Sequence, residues 1–142
     1  LVSREEFRRD MEKAYETMAP FGIKKKKAYY FVPPFEHFND TISAWAKEMG
    51  FQLINNTYGT LTYGDYTTPD MARYYSSDYI MERTMRMAGE EPHGINGHIL
   101  LIHFGTSERR TDKFYNRLPQ LIENLKKIGY EFADLSKVIP KP

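Results

Sequence analysis

The sequence contains no cysteine, no long apolar run and no excess of charge of either sign. The absence of cysteine excludes a disulfide framework, a cysteine-ligated metal and a thiol nucleophile. Twenty Lys and Arg residues against nineteen Asp and Glu residues give a net charge of +1, so we expect no nucleic-acid partner. No stretch approaches the roughly 20 apolar residues that a membrane-spanning helix needs, so we expect no membrane span.

The local patterns of several common kinds of site are also missing. The sequence has no glycine-rich phosphate-binding pattern and no serine in a nucleophile elbow. Four histidines are present, and none stands at a metal-ligand spacing from another. Glu36 and His37 are adjacent, but no further ligand follows them at a recognisable spacing. The sequence therefore predicts no local metal site.

Aromatic residues, in contrast, are abundant, with eleven Tyr and nine Phe among 142 residues. Such rings fill a hydrophobic core or form surfaces that stack on sugars, and the composition leaves both uses open. The length is that of one domain, since domains run to roughly 100–200 residues.

Apolar periodicity alternates between helices and strands along the chain. This order is typical of an α/β fold with right-handed crossovers and mainly parallel strands. The clearest strand covers residues 98–103, whose nearly continuous apolar run is typical of a strand covered on both faces. The predicted elements are a helix from the capping box Ser3/Glu6 to Pro20, a strand at 28–32, a helix from Asn39 or Asp40 to Gly50, a strand at 51–55, a long loop at 56–75, a helix from Ser76 or Ser77 to Gly89, a strand at 98–103, a helix from Pro119 to Gly129 and a strand at 130–133.

Polar side chains after the predicted strands are the candidates for function, because ligands bind at the carboxyl ends of strands in such sheets and barrels. His103 ends the third predicted strand, and a histidine exchanges protons near neutral pH. The alternative is a core histidine that binds a backbone carbonyl. Asp65 and Asp70 flank a turn in the long loop, where turn formation explains them as readily as catalysis does.

The last third of the chain closely resembles the end of the polysaccharide deacetylases, the NodB-homology domains of carbohydrate esterase family four. Their last motif, Leu-x-His at a strand end, is matched by Leu101 and His103, and a helix and Gly129-Tyr130-Glu131-Phe132 follow. Upstream, Phe31-Val32-Pro33-Pro34-Phe35 is similar to their Arg-Pro-Pro-Tyr motif. The resemblance covers nearly the whole chain, although it is loose over residues 58–92.

The resemblance implies the C-terminal part of a distorted (β/α) barrel that removes acetyl groups from N- or O-acetylated polysaccharides. A divalent metal, often zinc, would polarise the acetyl carbonyl and activate a water. His103 would protonate the leaving amine or alcohol, and Asp65 would orient it, with Asp70 as the second choice. The residues expected to contact the substrate are Leu101 in the acetyl pocket and Pro33, Pro34, Phe35, Glu36 and His37 along one wall of the groove.

Two departures from the family pattern limit this expectation. Val32 stands where the family has its arginine, and the family's Asp-Asp pair and His-x-x-x-His metal ligands are absent from this sequence. A (β/α) barrel also needs about 250 residues. We therefore expect residues 1–142 to be a single incomplete domain that is inactive alone, with the metal held in the full-length protein.

The same reasoning sets the expected partners and location. Exposed strand edges and helix faces predict association with the missing N-terminal segment or with a second copy of the chain. The family's usual substrates indicate a location outside the cytoplasm. The alternative function is a non-catalytic carbohydrate-binding or structural module derived from the barrel. It is favoured by Val32 and by the aromatic loops around Tyr58, Tyr63 and Tyr66.

Overall fold

The computed structural model describes residues 2–90 and 92–141 and shows a helix-rich α/β chain. Its contacts divide the chain into two compact units. The first contains the residues up to Asn55 and those from Asp134 onward, and the second runs from Asn56 to Ala133. The described residues form helices α1 (Arg4–Met18), α2 (Asp40–Glu48), α3 (Ser77–Glu90), α4 (Leu118–Lys127) and α5 (Leu135–Val138) and strands β1 (Tyr30–Phe31) and β2 (Gln52–Leu53).

Helix α1 begins at the predicted capping box. The Ser3 hydroxyl accepts a hydrogen bond from the Glu6 amide at 3.2 Å, and the Glu6 carboxylate accepts one from the Ser3 amide at 2.7 Å. A short 3₁₀ turn, Ala19–Phe21, follows the helix, and Gly22 ends it with a φ of 76°. The predicted start of this helix is therefore confirmed.

Strands β1 and β2 form a parallel pair that is joined by α2. Tyr30 lies opposite Gln52, and Phe31 lies opposite Leu53. Helix α2 begins where the Asn39 side chain accepts a hydrogen bond from the Ile42 amide at 2.9 Å, as predicted. Both strands are shorter than predicted. The core of this unit contains Phe7, Met11, Ala46 and Phe51.

The second unit is built around α3 and α4. Pro119 is the second residue of α4, which starts one residue earlier than predicted, after the 3₁₀ helix Phe114–Arg117. Proline is tolerated there because the first helical turn leaves its amides without partners in the helix. The core contains Ile80, Met81, Ile95, Phe114, Leu121 and Leu125.

The predicted strands at 98–103 and 130–133 are wrong, because neither segment forms a sheet ladder in the structure. Leu100 and Ile102 do pack on the core of the second unit. One backbone bond, from the Thr57 amide to the Ile99 carbonyl at 2.9 Å, reaches this segment, and two of its amides donate to side chains. The Ile99 amide donates to the Thr57 hydroxyl at 3.1 Å, and the His103 amide donates to the Asp65 carboxylate at 2.9 Å.

None of the helices in the described part of the chain has the length and apolar character needed to cross a membrane.

Candidate functional site

Asp65 and His103, two of the predicted site residues, are in direct contact in the second unit. The Asp65 side chain is fully buried, and its Oδ1 lies 2.6 Å from Nδ1 of His103. Its Oδ2 accepts a hydrogen bond from the His103 backbone amide at 2.9 Å. The imidazole is 33% exposed. One carboxylate therefore holds both the backbone and the ring of His103, and Nε2 is the ring nitrogen left for proton exchange.

A tight turn presents Asp65 to the histidine. The Thr67 amide and hydroxyl both donate to the Gly64 carbonyl, at 3.1 Å and 2.7 Å. Asp65 and Tyr66 are the two central residues of this turn. The Tyr66 ring meets the His103 ring edge to face, with the ring centroids 5.3 Å apart. Both contacts to the imidazole thus come from the same turn, and this role of Tyr66 is not evident from the sequence.

Close packing explains the glycine that begins the turn. A Cβ atom at Gly64 would lie 2.6 Å from the Tyr75 ring, which is closer than van der Waals contact allows. The Tyr75 amide in turn donates to the Thr67 hydroxyl at 3.2 Å. Tyr75 therefore packs directly against the turn and restricts its position.

A buried arginine holds the other end of the turn. The Arg110 side chain is fully buried, and its Nη1 donates to the Thr67 carbonyl at 2.7 Å. Its Nη2 donates to the Ser77 hydroxyl at 3.2 Å, and its Nε donates to the Asp112 carbonyl at 3.2 Å. The Arg110 guanidinium therefore links the turn to the start of α3. Nothing in the sequence distinguishes Arg110 from the exposed Arg109 beside it.

Asp112 supplies the negative charge that accompanies this arginine. Its Oδ1 lies 3.5 Å from Nε of Arg110, and its carboxylate accepts hydrogen bonds from the Ser77 amide at 2.7 Å and the Tyr74 hydroxyl at 2.9 Å. Burial raises the pKa of Asp112. The hydrogen bonds from Ser77 and Tyr74 and the charge of Arg110 together outweigh this effect, so its pKa lies below the ordinary value. Asp112 is therefore ionised at neutral pH.

Asp70, the second choice for the acidic position, lies in a different environment. It is exposed, accepts a hydrogen bond from the Thr68 hydroxyl at 2.7 Å and forms an ion pair with Arg109. The hydrogen bond from Thr68 and the charge of Arg109 lower its pKa. The structure thus brings Asp65 to His103 and Asp70 to Arg109.

Leu101 is partly buried and precedes His103 by two residues. Its neighbours Leu100 and Ile102 pack on the core of the second unit.

The remaining predicted contact residues, Pro33 to His37, belong to the first unit. Pro33 is buried, whereas Phe35 is 88% exposed. Phe35 and Glu36 both have left-handed backbone, with φ values of 54° and 58°. Such a conformation is uncommon for residues with a Cβ atom. The Asn55 side chain donates to the Glu36 carbonyl at 3.1 Å, which helps to hold this turn.

The residues present do not fit the metal centre that the resemblance implies. Within residues 2–90 and 92–141, no three side chains of His, Asp or Glu come together as metal ligands. Nδ1 of His103 is already engaged by Asp65.

Comparisons of this chain with family models, curated proteins and solved structures found no match. Its function is therefore inferred from its own side chains.

Proposed function

We propose that this chain carries the general-acid part of a polysaccharide deacetylase, an enzyme that removes acetyl groups from N- or O-acetylated sugars. The observation that supports this role is the fully buried carboxylate of Asp65 on Nδ1 of a partly exposed His103. A buried carboxylate stabilises the charged imidazolium and keeps a proton on Nδ1, so that Nε2 gains and loses the proton used in catalysis.

The proposed step is proton transfer to the leaving group. A water that has lost a proton to a carboxylate base of the complete enzyme would add to the acetyl carbon. As the bond between that carbon and the sugar nitrogen or oxygen breaks, the proton on Nε2 of His103 moves to that nitrogen or oxygen. The products are acetate and a free amine or alcohol, and the imidazole becomes neutral with its Nδ1 proton still facing Asp65. A positioned acid of this kind typically accelerates such a reaction by about 100-fold to 10,000-fold.

Other residues are assigned to the substrate. The family resemblance assigns Leu101 to the acetyl methyl group and Pro33, Pro34, Phe35, Glu36 and His37 to contact with the polymer. The fold of the whole enzyme would be a distorted (β/α) barrel. It would act outside the cytoplasm on an acetylated polysaccharide, and the rest of the barrel or a second copy would complete it.

A divalent metal, zinc above all, would belong to that complete enzyme, with ligands from outside this sequence. The role of His103 is confined to holding and moving a proton.

The test is acetate release by the gene product that carries this sequence, supplied with zinc or cobalt. We expect release from acetylated oligosaccharides and its loss on His103→Ala. A control variant, His93→Ala, removes an exposed histidine of the second unit that has no assigned contact with the substrate, and it should retain acetate release. Release that persists unchanged in His103→Ala would contradict the proposal.

A second candidate is a non-catalytic carbohydrate-binding module. It is favoured by the exposed rings of Tyr58 and Tyr66 in the second unit and by Val32 in place of the family arginine. Glycan binding without any metal-dependent acetate release would favour this function over the deacetylase.

A further inference from the structure

Phe104, the residue that follows His103, is a large apolar side chain held in an exposed position. It is 68% exposed, and its ring stacks on that of Tyr115 with centroids 5.3 Å apart and planes inclined by 22°. Stacking covers one face of the phenyl ring. The exposed fraction shows that much of the remaining surface is open to solvent.

The support beneath this ring is fixed from two directions. Tyr115 follows Phe114, which is almost fully buried in the core of the second unit, and both lie in the same 3₁₀ helix. The loop after Phe104 is held by Lys113, whose Nζ donates to the Thr106 carbonyl at 3.0 Å and to the Thr106 hydroxyl at 2.9 Å. Nζ also donates to the Ser107 carbonyl. The stacked pair is therefore preorganised rather than a loose surface side chain.

We infer that the Phe104–Tyr115 pair is a sugar-binding platform on which one pyranose ring of an acetylated polysaccharide stacks. A pyranose presents C–H groups on its face, and these complement the negative face of an aromatic ring. Phe104 directly follows the proposed acid, His103, in the chain. The inference rests on the proposed function, because that function makes the polymer the molecule present at His103. It adds a subsite for a neighbouring sugar unit.

The experiment measures binding rather than catalysis. The chain is titrated with an N-acetylglucosamine oligosaccharide and, separately, with an acetylated xylo-oligosaccharide, and aromatic NMR signals and calorimetry report binding. We expect at least one probe to shift the Phe104 and Tyr115 signals. Phe104→Ala should weaken that binding by about tenfold, the upper range for one aromatic contact, and Phe104→Tyr should retain it within about twofold.

A matched control is available in the same unit. Tyr79 is 46% exposed and stacks on Tyr75 with ring centroids 6.0 Å apart, but it does not adjoin His103 in the chain. Tyr79→Ala removes a stacked exposed ring and should leave the affinity unchanged. Binding of neither probe, or equal affinity in Phe104→Ala and the unsubstituted chain, overturns the platform.

The outcome is separable from that of the deacetylase proposal. Phe104-dependent sugar binding by a gene product that releases no acetate would support the platform and count against the catalytic role. Acetate release by the gene product, together with a sugar affinity that Phe104→Ala does not change, would support the catalytic role and count against the platform. Phe104-dependent binding of an unrelated protein, with no binding of either sugar, would also overturn the platform.

Discussion

The Asp65 carboxylate binds two nitrogen atoms of His103, the ring nitrogen Nδ1 at 2.6 Å and the backbone amide at 2.9 Å. The bond to the amide fixes the orientation of the carboxylate, because Oδ2 accepts from the amide and Oδ1 then faces the ring. The carboxylate is fully buried, so water does not compete for either oxygen. The pair therefore dictates which nitrogen of the imidazole carries a proton in its neutral form.

Asp65→Asn should reverse the neutral tautomer of His103. The backbone amide needs an acceptor, so the asparagine oxygen would face it and the asparagine NH₂ would donate to Nδ1. The proton would then move to Nε2, and the imidazolium would lose its buried counter-charge. We expect ¹⁵N NMR to show Nδ1–H in the original chain and Nε2–H in the variant. In the gene product, acetate release should fall by at least about 100-fold.

Asp70→Asn is the matched control, since Asp70 is the exposed carboxylate of the same loop and pairs with Arg109. In Asp70→Asn the neutral imidazole of His103 should keep its proton on Nδ1, as in the original chain. A reversed tautomer in Asp70→Asn, or an unchanged one in Asp65→Asn, would show that the contact with Asp65 does not control the ring.

Arg110→Met should destabilise the second unit strongly. It would leave the Thr67 carbonyl without its donor and Asp112, whose side chain is 36% exposed, without its cation, so we expect a loss of about 2–3 kcal/mol. Urea unfolding measures the free energy. Arg109→Met, the exposed neighbour, should change it by no more than about 0.5 kcal/mol. Equal losses in the two variants would contradict the role assigned to Arg110.

Asp112→Asn should destabilise the chain in a pH-dependent manner. The pKa of Asp112 in the folded chain is below its ordinary value of 3.8, so its stabilising effect is fully present above 3.8 and is lost as the pH falls through the lower folded value. We expect a loss of about 1–2 kcal/mol at pH 7, reduced because part of the side chain is exposed to solvent. The difference between variant and original should shrink as the pH is lowered below 3.8. A constant difference across that range would contradict the assignment.

Local signals in the sequence were sufficient to predict the starts of α1 and α2. The capping box of Ser3 and Glu6 and the cap at Asn39 depend on residues three apart, so they can be read without knowledge of the fold. The strand at 98–103 could not be judged in this way. Its apolar pattern predicts burial on both faces, but residues 98–103 are only partly buried. One backbone bond runs from the Thr57 amide to the Ile99 carbonyl, whereas the Ile99 and His103 amides donate to the side chains of Thr57 and Asp65, so no ladder forms.

The candidate site likewise contains some residues that the sequence predicts and others that it does not. His103 stands out because it ends an apolar run, and Asp65 stands out because it borders a turn, but their contact cannot be predicted because they are 38 positions apart in the sequence. Arg110 could not be singled out at all. It is adjacent to Arg109, and only the packing of residues far apart in the chain makes one of them buried and the other exposed.

The left-handed turn at Phe35 and Glu36 offers a separate test in the first unit. A Cβ atom in this conformation destabilises the folded chain by about 1–2 kcal/mol. Glycine removes this strain, but its greater freedom in the unfolded chain offsets about 0.4–1 kcal/mol of the gain. Phe35→Gly should therefore raise the free energy of unfolding by about 0.5–1 kcal/mol, since the ring is 88% exposed and loses little packing.

Phe35→Ala separates the backbone from the ring. It removes the same aromatic side chain but keeps a Cβ atom at a φ of 54°, so it should show no comparable gain in urea unfolding. If Phe35 forms part of the substrate wall, both variants should weaken binding of the acetylated oligosaccharides that bind the original chain, whatever their stability. Two results together, a more stable Phe35→Gly variant and weaker sugar binding in both variants, would show that the exposed ring contributes to binding although its backbone is strained. Unchanged sugar binding in both variants would show that Phe35 does not contact the substrate.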